Sequence, residues 1–105
     1  MVTVAMTSEA REQFSELPSL IAVRVEKLLA RLNRWPDVSG VKHLRGNLAG
    51  KCRLRTGDYR LQFHVQEKKT AVKAKQTGKA TKERETIDYI VVVEKIGHRD
   101  GFYED

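Results

Sequence analysis

The chain has one cysteine, no long apolar run, and no cluster of histidine, cysteine or carboxylate residues at metal-ligand spacing. Each of these shortages removes a class of protein. Cys52 alone cannot close an internal disulfide, which agrees with a reducing compartment. It is read either as a small buried hydrophobe on the apolar side of a strand or as a reactive thiol. No segment approaches the roughly 20 apolar residues of a membrane helix, and the N-terminus lacks the basic-then-apolar pattern of a secretory signal. A cytoplasmic protein without a membrane partner is expected. The missing ligand clusters point to chemistry without a metal or cofactor.

What remains is a basic, soluble composition. The 105 residues are 40% hydrophobic and 32% charged, with a formal net charge of +6. That suits one domain, residues 1–105, with a single core. The charge is unevenly placed. Residues 42–60 carry Lys42, Arg45, Lys51, Arg53, Arg55 and Arg60 against Asp58 alone. Residues 67–86 carry Lys68, Lys69, Lys73, Lys75, Lys79, Lys82 and Arg84 against Glu67, Glu83 and Glu85. Two basic patches of this kind are the electrostatic footprint of a nucleic-acid or acidic-protein partner.

Periodicity orders the chain. Val2 to Met6 reads as a short strand, after which Thr7 or Ser8 caps a helix with Glu9 in its first turn. Ala10, Phe14 and Leu17 give that helix one apolar stripe, and Pro18 ends it. From Ser19 to about Arg34, the residues Leu20, Ile21, Val25, Leu28, Leu29 and Leu32 mark the apolar face of a second helix, stopped by Trp35-Pro36-Asp37. Strands are expected at about 51–56, 59–66 and 87–93. The fold class is α+β in the order β-α-α-β-β-β, two antiparallel helices on one face of a small, mainly antiparallel sheet.

Alternation along the strands sorts the basic residues. Lys51, Arg53 and Arg55 point one way while Cys52 and Leu54 point the other. After the Thr56-Gly57-Asp58 turn, Arg60, Gln62 and His64 share one face, and Tyr59, Leu61, Phe63 and Val65 the other. The segment 67–86 has no large apolar residue except Val72. It is read as a basic, hairpin-like insertion, either simply solvated or contacting nucleic acid through Lys73, Lys75 and Lys79.

The tail Gly97-His98-Arg99-Asp100-Gly101-Phe102-Tyr103 follows the apolar strand directly. A histidine, an arginine and a tyrosine beside a bed of lysine and arginine suit phosphodiester cleavage. Such chemistry needs a base for the ribose 2′-OH, cations for the charge developing on phosphorus, and an acid for the leaving 5′ oxygen. RNA alone offers that internal nucleophile. His98 is a candidate acid or base because an imidazole titrates near neutrality.

The stretches LRGNLAGKCRLRTGDYRLQF and IDYIVVVEKIGHRDGFYED resemble the RelE/ParE superfamily of toxins from type II toxin-antitoxin modules. The resemblance is densest at 44–63 and 87–103 and follows the whole chain in element order. It implies the β-α-α-β-β-β fold and, for the RelE-like branch, an endoribonuclease that cuts mRNA in the ribosomal 30S A site. It places Lys51, Arg53, Arg60, Arg99 and Tyr103 at the family's functional positions. Arg60 and Arg99 would stabilise the transition-state phosphate, Lys51 or Arg53 would assist proton removal, and Tyr103 would stack on a base. Lys42, Arg45 and Arg55 join the expected RNA-binding surface. The resemblance also implies a cognate antitoxin as partner and a monomer when free of it. Segment 67–86 departs from the family's usual short hairpin. Three classes stay open: a ribosome-dependent ribonuclease toxin, a ParE-like DNA gyrase inhibitor, and a non-catalytic antitoxin-binding relative.

Overall fold

The computed structural model describes residues 1–73 and 83–102. Five strands and two helices follow one another as β1 Val2–Met6, α1 Ser8–Ser15, α2 Ser19–Leu32, β2 Lys42–His43, β3 Lys51–Thr56, β4 Tyr59–Lys73 and β5 Glu83–His98. A 3-10 turn at Gly46–Leu48 sits between β2 and β3. The sheet order is β1-β5-β4-β3-β2. Only the β1–β5 pairing is parallel; the other three are antiparallel.

Local chemistry accounts for most of these boundaries. Thr7 is the N-cap of α1, its Oγ1 accepting from the Ala10 amide at 3.1 Å, and Glu9 lies in the first turn beside the positive end of the helix dipole. Pro18 opens α2 with its fixed φ and no lost donor. The β3–β4 hairpin reverses at Gly57, whose φ of 58° is a left-handed value that only glycine adopts without strain. That turn sets the pairing Thr56–Tyr59, Arg55–Arg60, Leu54–Leu61, Arg53–Gln62, Cys52–Phe63 and Lys51–His64.

One core lies between the helices and the sheet. Ala10, Val25, Leu28 and Leu32 from the helices meet Cys52, Leu54, Leu61, Phe63, Val91, Val93 and Ile96 from the strands. Cys52 is thus a buried structural side chain, and burial pushes its thiol pKa up. Trp35 closes the end of this core, its ring standing edge-on to Phe63 at 5.6 Å. Burying Phe63 fully makes it a main contributor, on the order of 3–5 kcal/mol against alanine.

The structure departs from sequence expectation in three ways. The connector after α2 supplies a fifth strand, Lys42–His43, which pairs with Arg53 and Cys52. It is too short to carry a periodic signal. The two long strands outrun their apolar stretches, because β4 and β5 stay paired out to Lys73–Glu83. Backbone pairing continues there although the residues are polar, so the described part of 67–86 is a ladder growing from the sheet. Its tip lies outside the described residues. Leu20, finally, is 80% exposed rather than part of the α2 stripe. One residue step turns a helix by about 100°, and with Ile21 on the core side Leu20 falls off the buried face.

Candidate functional site

The face of the sheet opposite the helices is where the basic residues collect. Leu54, Leu61, Phe63 and Ile96 point into the core, so by alternation Lys51, Arg53 and Arg55 on β3 and Arg60, Gln62 and His64 on β4 point outward. The hairpin register stacks them as three cross-strand rungs: Lys51 opposite His64, Arg53 opposite Gln62, and Arg55 opposite Arg60. Directly paired side chains stand about 4.5–5.5 Å apart at Cβ. Lys42 extends the second rung from β2, being paired with Arg53. Lys95 on β5 reaches it from the other side, paired with Gln62.

One carboxylate, Glu94, stands on these three rungs among the described residues. The β4–β5 register slips between Gln62 and Phe63: Gln62 pairs with Lys95 and Phe63 with Val93. Glu94 is the extra residue of this bulge, and a bulge turns two neighbouring side chains to the same side. Glu94 and Lys95 therefore both face outward, between the buried Val93 and Ile96. The bulge is held from behind by α1. Thr7 Oγ1 donates to the Glu94 carbonyl at 3.3 Å, and Gln13 Oε1 accepts from the Ile96 amide at 2.7 Å. Backbone groups that the slipped ladder leaves without strand partners thus find them on the helix.

The Glu94 carboxylate is the centre of a three-residue network. Lys51 Nζ donates to Oε2 at 2.6 Å, and His64 Nδ1 lies 3.4 Å from Oε1. Gln66 Nε2 approaches the other ring nitrogen, His64 Nε2, at 3.3 Å. Burial pushes the Glu94 pKa up, but the hydrogen bonds and charges of Lys51 and His64 outweigh it and hold the carboxyl below its ordinary value. Glu94 is ionised at neutral pH.

At the turn end the arrangement is looser. Arg60 Nη1 reaches the Gly57 carbonyl at 3.4 Å. Arg99 pairs with Asp58 Oδ1 at 3.6 Å and with Asp100 Oδ1 at 3.7 Å, while its amide donates to the Asp58 carbonyl at 2.6 Å. This brings Arg99 to the hairpin that carries Arg55 and Arg60. The chain then folds back over the outer face: Phe102 is 2% exposed, yet it is no part of the helix-side core. It lies against Gly97, where a Cβ would stand 3.4 Å from Phe102 Cδ1. Lys95 Nζ donates to the Phe102 carbonyl and sits 4.8 Å from its ring centroid. Lys95 is therefore engaged with the tail rather than free for a ligand.

His98 does not share the face of Lys51, Arg53 and Arg60. It pairs with Tyr59 across β4–β5, its ring stands edge-on to the Tyr59 ring at 5.3 Å, and it lines a recess with Gln13, Glu16, Leu17 and Pro18. The reason is alternation: Gly97 takes the outward position and Ile96 and His98 the helix-side ones. Asp100 donates its amide to His98 Nδ1 at 3.1 Å. Tyr103, Lys75 and Lys79 lie outside the described residues, and Lys73 is described only as the end of β4. Arg45 lies beside Lys42, His43 and Leu44 along a shallow groove at the sheet edge. No group of three or more His, Cys, Asp or Glu side chains able to hold a metal ion occurs among the described residues, and no described helix is long and apolar enough to cross a membrane.

Comparison with solved structures returns the crystal structure of the toxin-antitoxin complex RelBE2 from Mycobacterium tuberculosis, with a TM-score of 0.62 and 28% identity over 92% of this chain and 96% of that one. The chain is similar in fold and sequence to the RelE-like toxin superfamily. No family model matches it, and no curated protein does. In this RelE-like chain, Glu94 and His64 are the two members of the outer-face network that sequence reasoning did not count as site residues, although it put His64 on the face of Arg60. His64 could have been found, since a two-residue turn places it opposite Lys51. Glu94 could also have been placed, since alternation from the buried Val91 and Val93 turns it outward; what that alternation misplaces is Lys95 and every residue beyond the bulge.

Proposed function

We propose that this chain is the toxin of a type II toxin-antitoxin module and an endoribonuclease that cleaves mRNA, on the ribosome, by attack of a ribose 2′-OH on the adjacent phosphodiester. The observation that carries this reading is the outer sheet face, where Lys42, Lys51, Arg53, Arg55 and Arg60 stand together on paired strands with Glu94 as the one carboxylate on those rungs. Such a surface attracts an RNA backbone. Its guanidinium groups are planar forks suited to phosphate, and they stabilise the charge that builds on phosphorus in the transition state. Arg53 lies at the middle of the face and serves the scissile phosphate, Arg60 and Arg99 approach it from the turn end, and Arg55 and Lys42 hold flanking phosphates. Tyr103, by the resemblance of the tail, stacks on a base.

The cytoplasmic partners of this reading are translating ribosomes with their message, and a cognate antitoxin, as in the complex that the structural neighbour forms. The reaction needs no metal, since the cations on the face supply the charge. The test is induced expression with primer extension on a translated reporter message, with and without a drug that blocks initiation, for the wild type and for Arg53→Ala, Arg60→Ala and Arg99→Ala. Translation-dependent cuts that disappear in the variants support the reading. Growth arrest with an intact message would replace it with gyrase inhibition.

A further inference from the structure

The resemblance gives removal of the 2′-OH proton to Lys51 or Arg53 without choosing between them, and the outer face bears on that role. On the three outer rungs the guanidinium groups of Arg53, Arg55 and Arg60 hold their protons throughout the physiological range. The Lys51 ammonium donates to Glu94 at 2.6 Å and presents donors only, with no lone pair for a proton. Glu94 itself is occupied, with Oε2 on Lys51 and Oε1 buried from solvent, where no substrate oxygen can reach it. His64 is different. Gln66 offers its amide nitrogen to Nε2 at 3.3 Å, and an amide nitrogen can only donate. Nε2 therefore carries the lone pair and Nδ1 the proton, with Glu94 Oε1, which has no hydrogen-bond partner of its own, 3.4 Å away.

We propose that His64 Nε2 is the proton acceptor of the cleavage reaction, with Glu94 as the positioning residue that fixes its tautomer and steadies the imidazolium, and Lys51 as the clamp on Glu94. This rests on the RNA-cleavage reading above. In the step, the 2′ oxygen forms a bond to phosphorus as its proton passes to His64 Nε2. The bond from phosphorus to the 5′ oxygen breaks, and that oxygen takes a proton from water. The products are a 2′,3′-cyclic phosphate and a 5′-hydroxyl end, and the imidazolium returns its proton to solvent. Gln66 is exposed and gives up its contact when the ribose arrives. Arg53, on the next rung, lies about 7 Å along the strand from Lys51, within reach of a phosphate whose ribose is on His64. The charged groups that face the imidazole are Lys51 on β3 and Glu94 on β5, with Arg53 and Lys95 one rung away.

The test is single-turnover cleavage of a reporter message on translating ribosomes across pH 6 to 8.5, with purified wild type, His64→Gln, His64→Ala, Glu94→Gln and Arg53→Ala, each checked for native circular dichroism. His64→Gln retains a donor for Glu94 but cannot accept a proton. It is expected to cut about 10²- to 10⁴-fold more slowly and to lose the rise in rate with pH through the neutral range. Glu94→Gln is expected to keep cutting with a smaller loss and with that rise displaced. His64→Gln cutting within threefold of wild type, or cutting slowly with the wild-type pH profile, overturns the assignment while the RNA-cleavage reading stands on Arg53→Ala. A wild type that cuts nothing overturns both.

Discussion

Separating Lys51 from Glu94 should cost a measurable share of the stability of the sheet, and the size of the loss follows from how deeply the pair sits. The side chains are 32% and 21% exposed and meet at 2.6 Å. A fully exposed pair contributes about 0.2–1 kcal/mol, and a hydrogen bond to a charged group about 1.5–3 kcal/mol. A half-buried, charge-assisted contact belongs between them, at about 1–2 kcal/mol. A double-mutant cycle isolates it: wild type, Lys51→Met, Glu94→Gln and the double variant, unfolded in urea at pH 7. Each kcal/mol should move Tm by about 4–8 °C in a domain near this size. The pH dependence supplies an internal check. Glu94 ionises more readily in the folded chain than in the unfolded one, so its contribution is fully present above the unfolded glutamate value of about 4.3 and is lost as pH falls through the lower folded value. The coupling should be present at pH 7 and fade as pH is lowered through the acid range in whatever fold persists there. A coupling below about 0.3 kcal/mol at pH 7, or one that survives acid, would refute this account of the network.

Other consequences are equally open to measurement. Gln13→Ala leaves the Ile96 amide without its acceptor, which should cost about 1–3 kcal/mol and abolish slow hydrogen exchange at that one amide; unchanged protection would mean that the bulge does not depend on α1. Phe63→Ala removes the largest fully buried side chain and should destabilise by about 3–5 kcal/mol, read as loss of a cooperative urea transition at 25 °C. Arg53→Ala and Arg60→Ala should each slow message cleavage by about 10²-fold with the fold intact by circular dichroism, Arg53 the more severely because it sits mid-face. His98→Ala should slow cleavage far less than His64→Ala, since His98 packs on Tyr59 across the sheet from the cationic face; the reverse order would return His98 to the reaction.

Local rules made much of this protein readable from its residues. Cys52 and Leu54 are apolar where Lys51, Arg53 and Arg55 are charged, and a strand has only two faces, so a cationic face backed by a core was dictated before any pairing was known. Gly57 and Asp58 set the hairpin, and with it the Lys51–His64 and Arg53–Gln62 rungs. The helices declared themselves by the spacing of Phe14, Val25, Leu28 and Leu32, and the RelE-like order of elements followed.

What only the tertiary structure decided lies where a local rule breaks because of a distant partner. Lys95 turns outward beside Glu94 at a bulge whose backbone groups are met by Thr7 and Gln13, 87 and 83 positions away in sequence. Nothing near Glu94 announces that slip, because a bulge is stabilised by what packs behind it. The placement of His98 is the complementary case. In sequence it stands beside Arg99 and looks like its partner, but β5 pairs it with Tyr59 and turns it toward the helices. Sequence order made His98 and Arg99 neighbours; the sheet put them on different sides and gave the outer face His64 instead.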